Sequence, residues 1–208
     1  SSPQAISIRK VKVQVIELFR RSFDFLGDQY WLFLGITVLG MLLGSAVPMG
    51  LIYGPLLVGI YACYIERERK GRAEFSTLFV GFDNFLEPFL AFLVIMAASL
   101  IVTLPLTLGV FATVMFSAMA AAGASDPNVP AVAPAIPIVM MLVLIPLGIV
   151  LQLLVTMPFV FTFQLIADRK LKAMESIKLS IQGVLQNFWG VLWCLVGVMF
   201  VSFLATLL

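Results

Sequence analysis

Apolar residues along this chain fall into long unbroken runs, and three stretches with one-sided polarity separate them. Residues 8–28 carry Val11, Val15, Leu18, Phe19, Ser22 and Leu26 at helical spacing, with Lys10, Gln14, Glu17, Arg21, Asp24 and Asp28 opposite. Residues 75–87 repeat the pattern with Phe75, Leu78, Phe79, Phe82 and Phe85 against Thr77, Asp83, Asn84 and Glu87. Residues 168–187 repeat it again, with Leu171, Met174, Ile177, Ile181, Val184 and Leu185 on one side and Lys172, Glu175, Gln182 and Gln186 on the other. Each stretch predicts an amphipathic helix lying at a membrane surface. Asp168 stands where an N-cap would open the third.

The runs between them predict spans at about 30–47, 50–66, 86–122, 136–167 and 188–208. Tyr30-Trp31 and Phe188-Trp189 open two of them with interfacial aromatics. Gly40-Met-Leu-Leu-Gly44 is a close-packing GxxxG pattern, and Pro48-Met-Gly50 reads as a tight turn. The runs 86–122 and 136–167 exceed the length needed to cross a ~30 Å hydrocarbon core. Two long helices, kinked at Pro105, Pro146 and Pro158 and joined by an external Pro- and Ala-rich connector over 123–135, fit them better than four short crossings. The fold class is therefore all-α, a polytopic transmembrane helix bundle of about five spans with three interfacial amphipathic helices, forming one integral membrane domain over 1–208. A closed barrel is excluded, because the runs do not alternate.

Composition strengthens that reading. Of 208 residues 62% are hydrophobic and 12% charged, against about 45–50% and 25% in soluble domains, and mean hydropathy is +1.09. The thirteen Lys and Arg residues form three clusters: Arg9 to Arg21, Arg67 to Arg72, and Arg169 to Lys178. The positive-inside rule places all three clusters, and the N-terminus, on the cytoplasmic side of the membrane. Their junctions with the spans look alike: Gly27-Asp-Gln-Tyr-Trp31, Gly81-Phe-Asp-Asn-Phe85 and Gly183-Val-Leu-Gln-Asn-Phe-Trp189. This similarity suggests either three repeats of an amphipathic helix followed by a hairpin, the third having a single span, or only the interfacial aromatic and hinge that any surface helix needs on entering a bilayer.

Several features also resemble a known group. Pro55 and Gly59 precede the basic loop, Arg69-Lys-Gly71 leads to Leu78-Phe-Val-Gly-Phe82, and Ala167-Asp-Arg169 is followed by Ala173, Ser176, Ser180, Gly183 and Asn187-Phe188. About a third of the chain thereby resembles a superfamily of uncharacterised bacterial inner-membrane proteins, related to the membrane domain attached to some glycerophosphodiester phosphodiesterases. The resemblance implies a six-span bundle in the bacterial cytoplasmic (inner) membrane. It carries over no catalytic residue, because the phosphodiesterase activity resides in a separate soluble domain.

Candidate chemistry is sparse. There is no histidine, phosphate loop or nucleophile elbow, and the two cysteines, Cys63 and Cys194, read as inert buried thiols. No catalytic, cofactor or metal residue is assigned, and no nucleic-acid surface is indicated. Thr103, Thr107, Gln152, Thr156 and Gln164 are the polar groups at depth, fit either for bonds between helices or for a polar cavity. Arg20, Arg21, Arg169 and Lys172 are placed to contact anionic headgroups. The Glu66–Arg72 run reads as a solvated helix end. Two function classes remain. One is a non-enzymatic scaffold or accessory subunit that contacts lipid, another membrane protein or itself. The other is a transporter or lipid-handling protein with a cavity between the two long Pro-broken helices.

Overall fold

The computed structural model describes residues 15–46, 50–123 and 135–207. Residues 8–14 of the first amphipathic stretch, the turn at Pro48 and the connector 124–134 lie outside them. The described residues are all-helical, without a strand. In order they form α1 (Val15–Leu26), a 3-10 turn (Gly27–Gln29), α2 (Tyr30–Ala46), α3 (Tyr53–Lys70), a 3-10 helix (Phe75–Phe82) and α4 (Leu86–Gly123). Then come α5 (Ala135–Thr156), a 3-10 turn (Met157–Phe159), α6 (Thr162–Arg169), α7 (Ala173–Gln186) and α8 (Phe188–Leu207). They divide into two compact units, one within Ser1–Leu93 and Met157–Leu208, the other within Val94–Thr156.

Three stretches are long and apolar enough to cross a membrane: Arg20–Ala46, Leu86–Met119 and Met140–Arg169. A fourth is available if α7 and α8, bent by 96° at Asn187, count as one broken span. The stretch 50–66 is not among them. The apolar part of α3, Tyr53–Ile65, reaches only about 20 Å at 1.5 Å per residue, and five charged residues close the helix from Glu66 to Lys70.

Other boundaries depart from the sequence reading for local reasons. The second amphipathic stretch is a 3-10 helix ending at Phe82, followed by a turn and then α4 from Leu86. Across 136–167 the helix breaks at Met157–Phe159, where Pro158 has no N–H and disfavours helical geometry in the residue before it. Ser180 serves the break from α7: its hydroxyl donates to the Pro158 carbonyl (2.7 Å) and accepts the Phe161 N–H (3.1 Å). Pro105 and Pro146, by contrast, lie inside α4 and α5, which run through them.

The core of the larger unit is made by backbones in near contact. A Cβ on Gly59 of α3 would stand 1.8 Å from the Leu78 carbonyl oxygen, and one on Gly81 would stand 1.9 Å from that of Pro55. The two glycines thus let α3 and the 3-10 helix seat into each other, burying Leu56, Cys63, Ala73 and Leu78 together with Phe33 and Ile36 of α2. The GxxxG seam of α2 meets the same helix, with Gly40 against Ile60 and Gly44 against the Tyr53 ring. Met157, Val184 and Val191 make a second core cluster among the Met157–Phe159 turn, α7 and α8.

Gly81→Ala is expected to destabilise the chain by about 3 kcal/mol or more, because neither backbone can yield. Gly183→Ala, on an α7 position with nothing within 4 Å, is expected to be neutral or to stabilise by up to about 1 kcal/mol. Thermal melting of the two variants in one detergent checks the contrast; equal melting temperatures would contradict it.

Candidate functional site

The polar groups at depth do not assemble into one site. Thr103 of α4 and Gln152 of α5 meet, the hydroxyl donating to the amide oxygen at 3.2 Å. Thr107 donates instead to the Thr103 carbonyl one turn back (2.8 Å), and Thr156 to the Gln152 carbonyl (2.9 Å). Such bonds satisfy a hydroxyl within its own helix. Gln164 is exposed on α6, in the other unit. Around the Thr103–Gln152 link, a Cβ on Gly148 would lie 3.1 Å from Leu106 and one on Gly109 would lie 3.8 Å from Leu144. Side chains pack these glycine surfaces.

The groups assigned to headgroup contact lie at the surface. Arg20 and Lys172 are exposed, Arg21 pairs with Glu17 one turn away, and Arg169 donates to Asp168 at 3.1 Å. Asp168, however, caps no helix. It belongs to the last turn of α6 and pairs with Arg69 of α3. The third amphipathic helix begins at Ala173, with Lys172 in extended conformation before it and no side-chain cap of its own. Glu87, from the first turn of α4, takes the cap's place by accepting the Ala173 N–H at 2.7 Å across 86 residues. A carboxylate there also meets the positive end of the α7 dipole.

The densest polar arrangement surrounds Arg67, which the sequence reading placed in a solvated run. Its side chain is only 10% exposed. Nε donates to the Phe25 carbonyl (2.6 Å), one Nη to Gln29 Oε1 (2.5 Å) and the other to Asp28 (3.1 Å). The guanidinium also lies over the rings of Phe25 and Phe33, 5.4 and 5.9 Å from their centroids. The same Gln29 oxygen accepts the Ala73 N–H at 3.1 Å. A signal for this burial was present: Leu56, Gly59 and Cys63 mark one face of α3, and Arg67 is the next residue along it. No local signal pairs Glu87 with Ala173.

Glu66 lies just past the apolar part of α3. It accepts from Lys70 (2.8 Å), from the Thr77 hydroxyl (2.5 Å) and from the Glu74 N–H (3.3 Å). The Lys70 ammonium, then the Thr77 hydroxyl, hold its carboxyl below the usual carboxylate range, and the Lys70 ammonium is raised by the same pair. Five phenylalanines form a ladder from this charged end into α4: Phe75, Phe79, Phe82, Phe85 and Phe89, with successive ring centroids 6.3, 6.3, 6.3 and 5.5 Å apart.

Beside the ladder lies a cleft of about 70 Å³, with Asp83, Asn84, Glu87, Ile166 and Lys170 in its wall and Val58, Ala62 and Pro88 along its apolar side. Among the described residues no group of His, Cys, Asp or Glu is arranged to hold a metal ion. No family model matches the chain, and no curated protein or solved structure matches it.

Arg67→Ala removes a charged donor from three acceptors, Phe25, Gln29 and Asp28, and is expected to cost on the order of 3 kcal/mol. Arg67→Lys keeps the charge but not the fork and should recover only part of that. Arg69→Ala breaks an ion pair whose side chains are 64% and 27% exposed, with an expected loss below about 1 kcal/mol. Melting temperatures in detergent test the order; an Arg69→Ala loss as large as that of Arg67→Ala would contradict it.

Proposed function

We propose that this is a non-enzymatic, multi-pass protein of the bacterial inner membrane, a scaffold or accessory subunit that engages lipid and a partner membrane protein or a second copy of itself. The five-span arrangement belongs to this reading: α2, α4, α5 with α6, and α8 cross the bilayer, and α3 returns as a short segment buried against its neighbours. So do the cytoplasmic N-terminus and membership in the superfamily that the chain resembles.

Two observations support membrane placement. Only 6% of the apolar window of Leu86–Met119, and of that of Met140–Arg169, is buried inside the molecule. Ile101, Leu104, Phe116, Leu142, Trp193 and Phe203 are among the large side chains facing outward, an arrangement water does not tolerate at this extent. Topology has its own support. Arg67 binds the end of α1 at Phe25, and Arg69 pairs with Asp168, so helix ends from all three basic clusters meet in one region. Clusters that touch belong on one side of a bilayer. Exposed Trp31 and Trp189, beside two of the junctions, suit the interfacial layer. The exposed cations Arg20, Arg21, Arg169 and Lys172 suit anionic headgroups.

The observation that favours a scaffold over a transporter is the internal satisfaction of Thr107 and Thr156, beside glycine surfaces packed by leucine. The transporter or lipid-handling alternative draws on Pro105 and Pro146 inside α4 and α5 and on the Thr103–Gln152 link between them.

Extraction with alkaline carbonate should leave the full chain in the membrane pellet, and release would remove the membrane reading. Native mass spectrometry from mild detergent should find a stoichiometric lipid, partner or second copy. Solute flux into reconstituted vesicles that disappears in Gln152→Leu would establish the transporter instead.

A further inference from the structure

Two corners of the larger unit follow one plan. At the first, α3 ends in a left-handed cap at Gly71, whose N–H donates to the Arg67 carbonyl (2.8 Å). Just beyond, the Ala73 N–H is accepted by Gln29, from the turn that leads into α2. At the second, α6 ends in a left-handed cap at Lys170, whose N–H donates to the Ile166 carbonyl (3.0 Å). Just beyond, the Ala173 N–H is accepted by Glu87, in the first turn of α4. A proline carbonyl also meets the following element near each helix start, though by different contacts: that of Pro55, in the first turn of α3, lies against Gly81, and that of Pro158, in the turn before α6, accepts from Ser180.

On this correspondence Arg67 and Ile166 hold the same place, since each supplies the carbonyl that receives the cap. Arg67 turns its guanidinium into the first corner and fills it. Ile166 has no such group, and the second corner holds the cleft of about 70 Å³. That volume is several times the roughly 10–15 Å³ needed for one water. Its wall carries charge of both signs, yet no ion pair among the described residues involves Asp83, Glu87 or Lys170.

We propose that the second corner binds the ethanolamine-phosphate headgroup of a phospholipid, its ammonium standing where Arg67 places a guanidinium in the first. Asp83, Asn84 and Glu87 receive the ammonium N–H groups, and Lys170 meets the phosphate. The apolar side made by Val58, Ala62 and Pro88 accepts the carbons between headgroup and acyl chains. A primary ammonium suits this wall because it offers three donors. The inference rests on the membrane reading, which places the start of α4 at headgroup depth.

The test uses the full chain in mild detergent, equilibrated with mixed vesicles of phosphatidylethanolamine and phosphatidylglycerol in equal amounts and read by native mass spectrometry. Wild type should retain one phosphatidylethanolamine per chain, about tenfold over phosphatidylglycerol, a difference of about 1.4 kcal/mol. Asp83→Asn should bring the two lipids to parity. Ile166→Arg, which supplies the first corner's cation in place, should also abolish the preference; if that variant fails to fold, Asp83→Asn carries the test. Displacement of the lipid by free phosphoethanolamine would show that the headgroup alone suffices, and retention would show that acyl chains add to binding; both support the site. Equal retention of the two lipids by wild type, or an unchanged preference in Asp83→Asn, would overturn it. Release by alkaline carbonate would instead remove the membrane reading beneath it.

Discussion

A guanidinium withdrawn from water must have its donors answered by the chain, and Arg67 imposes that constraint on three elements at once. It reaches a carbonyl in the last turn of α1, the amide of the turn before α2 and the carboxylate beside it, while its own backbone carries the cap of α3. Gln29 passes the constraint on by holding the Ala73 N–H with the same oxygen. Ala73 in turn sits in the core where α3 and the Phe75–Phe82 helix bring their backbones together at Gly59 and Gly81. In the proposed membrane setting hydrophobic transfer would contribute little between surfaces facing lipid, and close backbone approach and a satisfied polar corner would hold such elements together.

The helical class was legible because apolar runs of this length, with no charge in their middle, leave a backbone only one way to satisfy itself in lipid. Boundaries were less legible where a side chain from a distant segment decides them. Asp168 looked like a cap because Asp followed by a one-sided pattern is the usual local signal. Its partner is Arg69, and the helix waits until Ala173, where Glu87 arrives from α4. Pro158 broke a run that Pro105 and Pro146 did not, because Ser180 stands ready to bond the freed carbonyl and N–H. Arg67 was hidden by its neighbours. A run of five charged residues reads as solvated, although the helical period puts one of them on the buried face.

Of the polar groups picked from the sequence, Thr103 and Gln152 do meet, whereas Thr107 and Thr156 turn to their own helices and Gln164 belongs to another unit. The cleft was not legible at all. It is made by three segments far apart in the chain, and its character depends on a comparison between two corners that only the folded chain brings out. One is closed by an internal cation; the other offers carboxylates, an amide and a lysine around unfilled space.

The most direct measurement of the two corners is an experimental density map of the full chain in a bilayer that contains phosphatidylethanolamine. The map should show the Arg67 guanidinium in the first corner and headgroup density between Asp83, Glu87 and Lys170 in the second. A second corner closed by the chain's own side chains, or headgroups bound elsewhere while the cleft holds none, would contradict that expectation.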